Sequence, residues 1–250
     1  MAKPSKIRLD QLLVERGLAE SRTKAQALIM AGLVFAVDRR LDKPGQQVSA
    51  DAQIIVKGKE HPWVSRGGLK LAKGIEHFSI DPTGLTCLDL GASTGGFTDV
   101  LLNSGAAKVY AVDVGQGQLD WKIRTDDRVV VLEKTNARHL TAEQVPDAID
   151  LIVCDVSFIG LEKVLPPAMV LSGPGARLVA LIKPQFQAGP GQVGKGGVVR
   201  DPEVHREVCE TVRTFVEQEC GWRVLGITES PIKGPEGNIE FLIGAARPGG

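Results

Sequence analysis

The sequence of 250 residues predicts an α/β fold with a seven-stranded, mostly parallel sheet, preceded by a small α+β module. From residue 66 onward, strand-like and helical periodicities alternate, which is typical of βαβ units. The last two strand-like runs are separated only by a turn-rich segment, which is typical of an antiparallel hairpin. A change of composition at "KEHPWVSRGG" indicates a domain boundary. We therefore expect a module over 1–60, a linker over 61–66 and a second domain over 67–250.

The N-terminal module is predicted to contain two short helices and two short strands. Apolar residues at helical spacing predict helices over 9–16 and 23–30, the second capped by Ser21. Strand-like runs follow at 33–37 and 53–57, with a turn-rich segment between them.

Basic charge is concentrated in this module. Residues 1–60 carry a formal charge of +4 and residues 61–250 a charge of −4, so the whole chain is neutral. Four cations lie near the starts of the two helices, where a positive charge opposes the helix dipole. They are Lys6, Arg8, Arg22 and Lys24. Contact with phosphate groups would explain them, and a solvated basic face without a ligand is the alternative.

Seven strand-like runs are predicted in the second domain, with helices between them. The strands are 85–90, 108–113, 129–133, 150–155, 176–183, 222–230 and 238–246. Helical spacing is clearest at 97–104, 161–170 and 202–219. In such a sheet, ligands bind outside the carboxyl ends of the parallel strands. The residues at those ends are therefore the candidates for a site.

A glycine-rich segment, "LDLGASTGGFT" (residues 88–98), follows the first of these strands. Gly91 is followed by alanine, serine and threonine, so the second glycine of a dinucleotide-binding loop, which admits a pyrophosphate, is missing. The loop suits a ligand without a phosphate group, such as S-adenosylmethionine, and a tight turn with nothing bound is the alternative. Asp113 ends the next strand, where a carboxylate can accept both ribose hydroxyls of a nucleoside, as it also does in NAD enzymes.

Four charged residues are expected to converge at the same edge of the sheet. Asp155 ends the fourth strand, Lys183 ends the fifth, and Glu240 opens the last, which runs antiparallel. Lys70 lies on the helix that precedes the first strand. Each of these alone would commonly be a solvated surface charge. Together they indicate a site for acid–base chemistry.

Both parts of the chain resemble known families. "RLDQLLVERGLAESRTKAQALIMAGLVFAVDRR" resembles the S-four RNA-binding domain, and the order Lys, Asp, Lys, Glu resembles the tetrad of the FtsJ-type ribose 2'-O-methyltransferases. Blocks such as "VSRGGLKL", "VCDVSFIGL", "LIKPQFQAG" and "GPEGNIEFL" extend the resemblance over nearly all of the chain. They are similar to the TlyA family of rRNA 2'-O-methyltransferases, whose members also carry haemolysin names.

The resemblance implies a Rossmann-like methyltransferase domain that uses S-adenosylmethionine and methylates a ribose 2'-hydroxyl, typically of a cytidine, in ribosomal RNA. It implies Lys70, Asp155, Lys183 and Glu240 as the catalytic set. The expected cofactor-binding residues are Asp89, Gly91, Ala92, Ser93, Thr94, Gly95, Gly96, Phe97, Asp113, Val114, Asn136 and Asp155. The expected RNA-binding residues are Lys6, Arg8, Arg22, Lys24 and Arg66.

The reaction requires a base, and a lysine can serve as one. A ribose hydroxyl is a poor nucleophile, so it must lose its proton as it attacks the methyl carbon. We expect Lys183 to take that proton, with Lys70 as a neighbouring cation. Asp155 and Glu240 are expected to hold the two amines in place.

Composition restricts the compartment and the partners that we expect. The hydrophobic fraction of 43% is ordinary for a soluble chain, and the longest apolar runs are far shorter than the roughly 18 residues of a membrane span. The N-terminus lacks the features of a signal peptide, so we expect a cytoplasmic protein without a membrane partner. The four cysteines show no metal-binding or disulfide spacing, so no metal is expected. Ribosomal RNA or a ribosomal subunit is the expected partner, and a non-catalytic RNA-binding protein and a membrane-lytic haemolysin are the rival functions.

Overall fold

The chain forms two compact units, Met1–Pro62 and Trp63–Gly250. The computed structural model describes residues 6–19, 21–36, 39–56, 61–189, 191–234 and 237–249. Trp63 and Val64, which the sequence places in a linker, pack against the hydrophobic core of the larger unit. The larger unit therefore begins before the helix that carries Lys70.

The small unit contains two helices and five short strands within its described residues. They are β1 Lys6–Arg8, α1 Leu9–Glu15, α2 Arg22–Met30, β2 Val34–Ala36, β3 Arg39–Arg40, β4 Gln47–Ser49 and β5 Ile54–Val56. β1 pairs with β4, and β2 pairs with β3 and β5, all antiparallel. Residues 37 and 57 of the two predicted strands lie outside the described residues. Strands β1, β3 and β4 were not predicted, because two or three residues are too few to show a period.

The predicted cap of the second helix is present, and both helices contribute to one core. The Ser21 hydroxyl accepts the backbone N–H of Lys24 and so caps α2, as its position before the helix predicts. Leu9 and Leu13 on α1 and Ile29 on α2 are fully buried in one core. The two helices therefore form one side of the unit's hydrophobic interior.

A buried carboxylate joins the starts of α1 and α2. Asp10 is fully buried, and its oxygens accept two hydrogen bonds of 3.0 Å from Arg8, one of 2.9 Å from Arg22 and one of 3.0 Å from Gln26. The Arg8 guanidinium, with help from Gln26 and Arg22, holds the pKa of this carboxyl well below its usual range. Two of the cations at the helix starts therefore have an intramolecular partner, although both remain more than a third exposed.

The larger unit alternates strands and helices and ends in a hairpin. Its elements are α3 Gly67–His77, β6 Thr86–Leu90, α4 Gly96–Asn103, β7 Lys108–Val112, α5 Trp121–Arg124, β8 Val129–Leu132, β9 Ile149–Cys154, α6 Leu161–Val170, β10 Ser172–Ile182, α7 Pro184–Gln187, α8 Pro202–Thr214, β11 Arg223–Glu229 and β12 Phe241–Ala246. A single π-helical turn, Phe215–Glu219, follows α8, so the helix predicted over 202–219 changes its winding near its end.

Seven strands in the described part of the chain form one sheet in the order β11-β12-β10-β9-β6-β7-β8. Strand β12 runs antiparallel to both of its neighbours, and the other adjacent pairs are parallel. This confirms the predicted seven-stranded, mostly parallel sheet. The strand order reverses between β6 and β9, so the carboxyl ends of these two strands flank the crevice in which such sheets bind ligands.

The predicted carboxyl ends of the strands lie within one residue of the observed ones, whereas β10 begins four residues earlier and β12 three residues later than predicted. Asp113, Asp155 and Lys183 each follow directly after a strand. Glu240 does not open the last strand as predicted, because β12 begins at Phe241. The carbonyl of Glu240 instead accepts the N–H of Ser230, and this bond closes the loop between β11 and β12.

A glycine lets helix α3 lie close to the sheet. A Cβ atom at Gly74 would lie 2.7 Å from Cγ1 of Val179 on β10, closer than real atoms approach. Lys70 lies one helical turn before Gly74 and therefore on the same, sheet-facing side of the helix. The close approach at Gly74 thus brings Lys70 to the edge of the sheet.

Asp89 lies in the core, on the central strand β6. Its side chain is fully buried, and one carboxylate oxygen accepts a 2.6 Å hydrogen bond from the Thr98 hydroxyl on α4. The other oxygen has no hydrogen-bond partner among the described residues. Burial raises the pKa of this carboxyl to about 7, although the bond from Thr98 opposes the shift. Asp89 therefore joins α4 to the sheet through a hydrogen bond, and its contribution to the free energy of unfolding depends on pH.

We expect Gly74→Val to destabilise the larger unit by about 1–3 kcal/mol, because the added methyl groups overfill the space before Val179. Glu76→Val, on the exposed side of the same helix, should change the stability by less than about 0.5 kcal/mol. All three tryptophans lie in the larger unit, so urea unfolding followed by fluorescence measures both variants. Equal effects of the two changes would contradict the close approach of α3.

We expect Asp89→Asn to remove a pH dependence of folding. The folded-state pKa of about 7 lies above the ordinary 3.8, so the protonated carboxyl favours folding at low pH, and this contribution is lost as the pH rises through 7. Between pH 5 and pH 8 the unsubstituted protein should lose about 3 kcal/mol of unfolding free energy relative to the variant. Parallel stability curves for the two proteins would show that Asp89 is ionised in the folded state.

Candidate active site

The loop after β6 runs against the end of β9. Gly91 has a positive φ of 84°, and a Cβ atom there would lie 2.8 Å from the carbonyl oxygen of Asp155. The backbone N–H of Asp155 in turn donates to the carbonyl of Leu90. Only glycine satisfies both conditions at position 91 without strain. The loop and the end of β9 are therefore held together at the point where the strand order reverses.

One cavity of about 420 Å³ opens between this loop, the start of α3 and the segment 232–234. Its volume lies within the range of small-molecule sites. The predicted residues that line it are Arg66, Lys70, Gly91, Ala92, Ser93, Thr94, Gly96, Phe97, Asp155 and Lys183. The structure therefore brings most of the glycine loop and three of the four charged residues to one cavity.

The four charged residues form a row of alternating sign. Nζ of Lys70 lies 2.6 Å from Oε2 of Glu240 and 3.8 Å from Oδ2 of Asp155. Nζ of Lys183 lies 2.6 Å from the other carboxylate oxygen of Asp155. The side chains of both lysines are less than a tenth exposed. Because two cations and two anions alternate, each charge that leaves water has an opposite charge beside it.

Glu240 is the buried end of this row and does not line the cavity. It is fully buried, and Oε1 has no hydrogen-bond partner among the described residues. Within that part of the chain its ion-pair partner is Lys70. Glu240 can therefore act on a ligand in the cavity only through the position and charge of Lys70.

Ser157 belongs to the site, although the sequence did not single it out. Its hydroxyl accepts a 2.9 Å hydrogen bond from Nζ of Lys183, and the residue lines the cavity. The available signal was its place two residues after Asp155. A serine in a loop is too common for that signal to be specific.

A second cavity of about 490 Å³ adjoins the first and shares Gly91, Ser93, Asp155 and Ser157 with it. The predicted residues that line only this second cavity are Asp113, Val114 and Asn136. Phe158, which is 89% exposed and has a positive φ of 65°, also lines it and was not predicted. The two cavities form a continuous cleft along the carboxyl ends of β7, β6 and β9.

Asp113 joins two loops at the far end of this cleft. Its Oδ2 accepts the N–H of Ser93 and its Oδ1 accepts the N–H of Gly115, both at 2.7 Å. The carboxylate is half-buried. Each oxygen has a second lone pair, so the carboxylate can still accept hydroxyl groups from a ligand.

The other predicted site residues lie outside the two cavities. Asp89 is buried beneath α4, and Gly95 packs against Leu119 and Ile123. Lys6, Arg8, Arg22 and Lys24 belong to the small unit. Lys6 and Lys24 are exposed there.

The described residues contain no group of three or more His, Cys, Asp or Glu side chains that could hold a metal ion. In the same ranges, none of the helices is both long enough and apolar enough to cross a membrane.

Comparison with known proteins identifies the relatives of both units. The FtsJ-like methyltransferase family matches residues 63–247, and the S4 domain matches residues 7–54. The chain is 50% identical over 238 residues to the 16S/23S rRNA (cytidine-2'-O)-methyltransferase TlyA of Mycobacterium tuberculosis, covering 94% of this chain and 88% of that protein. It is 42% identical over 237 residues to Hemolysin A of Brachyspira hyodysenteriae, covering 94% and 98%.

A solved structure, "Putative hemolysin from Streptococcus thermophilus", is 44% identical with a TM-score of 0.76 and covers 99% of this chain and 90% of that one. The family match extends over the whole sheet and includes every residue of the alternating row. From its sequence, its sheet and its relatives, the chain belongs to the FtsJ-like methyltransferase family and carries an S4 domain before the methyltransferase domain.

Proposed function

We propose that this protein transfers a methyl group from S-adenosylmethionine to a ribose 2'-hydroxyl of a cytidine in ribosomal RNA. The observation that carries the proposal is the row of Glu240, Lys70, Asp155 and Lys183 beside a cleft that continues to Asp113. The 50% identity to a protein named for this reaction on both ribosomal RNAs supports the substrate class. The S4 domain supports RNA as the partner.

The cleft fits S-adenosylmethionine in size and in the chemistry of its lining. Asp113 would accept the ribose hydroxyls, and Val114 and Asn136 would lie against the adenine. The loop from Gly91 to Phe97 would hold the methionine part, since its small side chains leave room beside the backbone. When bound, the cofactor supplies a methyl group on a positively charged sulfur, which is open to attack by an oxygen.

The row of charges suits the removal of a proton from a hydroxyl. Lys183 faces the cavity and would take the proton from the attacking 2'-oxygen, provided that its amine is neutral at that moment. Asp155 and Ser157 hold this amine in place from two directions. Lys70, held by Glu240, places a second positive charge beside the developing oxyanion. Much of the rate would come from holding the hydroxyl in line with the methyl group.

The small unit is proposed to bind the RNA through exposed cations. Lys6 and Lys24 are exposed on β1 and α2. Arg8 and Arg22 use part of each guanidinium to hold Asp10, and their remaining N–H groups are available for phosphate. This arrangement would fix the orientation of two phosphate-binding groups without occupying them fully.

Mass-spectrometric mapping of ribosomal RNA from cells with and without the gene tests the reaction. We expect a single ribose methylation, or one in each subunit, to disappear with the gene and to return when the purified protein and S-adenosylmethionine are added. Identical RNA from the two strains would contradict the proposed function.

Asp113→Ala should weaken the binding of S-adenosylmethionine at least tenfold, because hydrogen bonds to a charged acceptor contribute roughly 1.5–3 kcal/mol each. The change also releases the amides of Ser93 and Gly115, which adds to the loss. Asp127→Ala, at an exposed position before β8, is the matched control and should bind normally. Calorimetric titration measures both, and unchanged affinity in folded Asp113→Ala would remove Asp113 from the site.

Lys183→Arg should bind S-adenosylmethionine and fail to methylate RNA. Arginine keeps a cation beside Asp155 but cannot give up its proton near neutral pH. We expect turnover to fall by about 100-fold or more, the usual contribution of a general base. Lys73→Arg, on the outer side of α3, is the control and should retain activity. Substantial turnover in Lys183→Arg would show that this lysine is an electrostatic support and not the base. If the unsubstituted protein binds RNA but does not methylate it, a non-catalytic RNA-binding role would be favoured.

A further inference from the structure

Two cations that line the first cavity have no counter-charge among the described residues. Five ionisable residues line this cavity: Arg66, Lys70, Asp155, Lys183 and Lys233. Lys70 and Lys183 are neutralised by the carboxylates described above. The exposed side chains of Arg66 and Lys233 form no hydrogen bond or ion pair with any described residue. Counted over the described residues, the mouth of the cavity therefore has a local charge of +2.

This local positive charge is opposite in sign to the net charge of the larger unit. Residues 61–250 carry a net charge of −4, so the cations at the cavity do not reflect a generally basic surface. Arg66 also precedes α3 directly, where a cation opposes the helix dipole, and its side chain caps no helical N–H. Two cations from segments far apart in sequence, both without a partner in the described part of the chain, thus meet at the cavity that holds the lysine pair.

The substrate class in the proposed function carries two negative charges at the matching place. A ribose within an RNA chain has a phosphate on its 5' side and another on its 3' side. Its 2'-hydroxyl therefore cannot reach Lys183 without bringing both phosphates to the mouth of the cavity. We propose that Arg66 and Lys233 form a clamp for these two phosphates, one cation to each. The inference rests on the proposed function and assigns Lys233 a role that the sequence did not indicate.

Such a clamp would act on the RNA and not on the cofactor. Each contact between a cation and a phosphate contributes about 0.7 to the slope of log affinity against log salt for single-stranded nucleic acid. Because the clamp contacts phosphates and no base, it would position the ribose without selecting the sequence. Its loss should raise KM for RNA more than it lowers kcat.

The test measures kcat/KM for methylation at several salt concentrations, with ribosomal subunits from cells that lack the gene as the substrate. Arg66→Gln and Lys233→Gln should each flatten the salt dependence by about 0.7, and the double variant by about twice as much. The affinity for S-adenosylmethionine, measured by calorimetry without RNA, should change less than twofold in all three.

Arg223→Gln is the matched control for loss of a positive charge. Arg223 is exposed at the start of β11, which runs parallel to β10, so it lies at the edge of the sheet opposite to the cavity. Its replacement should leave the salt dependence unchanged. If the unsubstituted protein methylates the RNA, the proposed function is upheld and the clamp is tested separately. The clamp would be overturned if the Arg66 and Lys233 variants behave like this control, or if only one of the two variants has a changed salt dependence. Absence of methylation by the unsubstituted protein would instead overturn the proposed function, and the clamp with it.

Discussion

The buried ion pair between Lys70 and Glu240 is the interaction on which the arrangement of the site depends. Two charges taken out of water cost several kcal/mol each unless their mutual geometry repays the loss. Here the nitrogen and oxygen lie 2.6 Å apart, and Asp155 provides a second negative charge 3.8 Å from the same nitrogen. The pair holds only because α3 lies close enough to the sheet for the lysine to reach across, which Gly74 permits.

The same constraint explains why the row formed by Glu240, Lys70, Asp155 and Lys183 contains equal numbers of cations and anions. A single buried lysine would lose its proton or unfold its surroundings, whereas a row that alternates in sign can hold two amines close together. Asp155 and Ser157 both contact Nζ of Lys183, and these contacts fix the direction in which the amine faces the cavity. The chemistry proposed for this site therefore relies on electrostatic balance that spans three strand ends and one helix.

Charge is divided between the two units in a way that suits their proposed tasks. The small unit is basic, and its buried Asp10 orients two of its arginines. The larger unit is acidic overall, yet the mouth of its cavity has two cations that pair with none of the residues the structure describes. Phosphate neutralisation dominates affinity for RNA, so broad attraction would come from the small unit and local placement from the cavity.

The sequence by itself determined the order of the elements, the mostly parallel sheet and the residues at its strand ends. Alternating periodicities and turn residues are local signals, so they predicted β6 to β12 and placed Asp113, Asp155 and Lys183 within one residue of the strand ends. Glycine at position 91 could be read as part of a ligand loop, but its contact with the carbonyl of Asp155 could not, since that contact joins two segments far apart in sequence.

Only the tertiary structure decided how far each side chain stands from the others and from water. It buried Asp89 beneath α4, set Glu240 behind Lys70, and brought Ser157 and Lys233 to the cavity. None of these placements has a specific sequence signal, because distances and burial arise from the packing of helices on a sheet whose strand order is not the chain order. Local pattern therefore determined which residues reach the edge of the sheet, and packing decided which of them meet there.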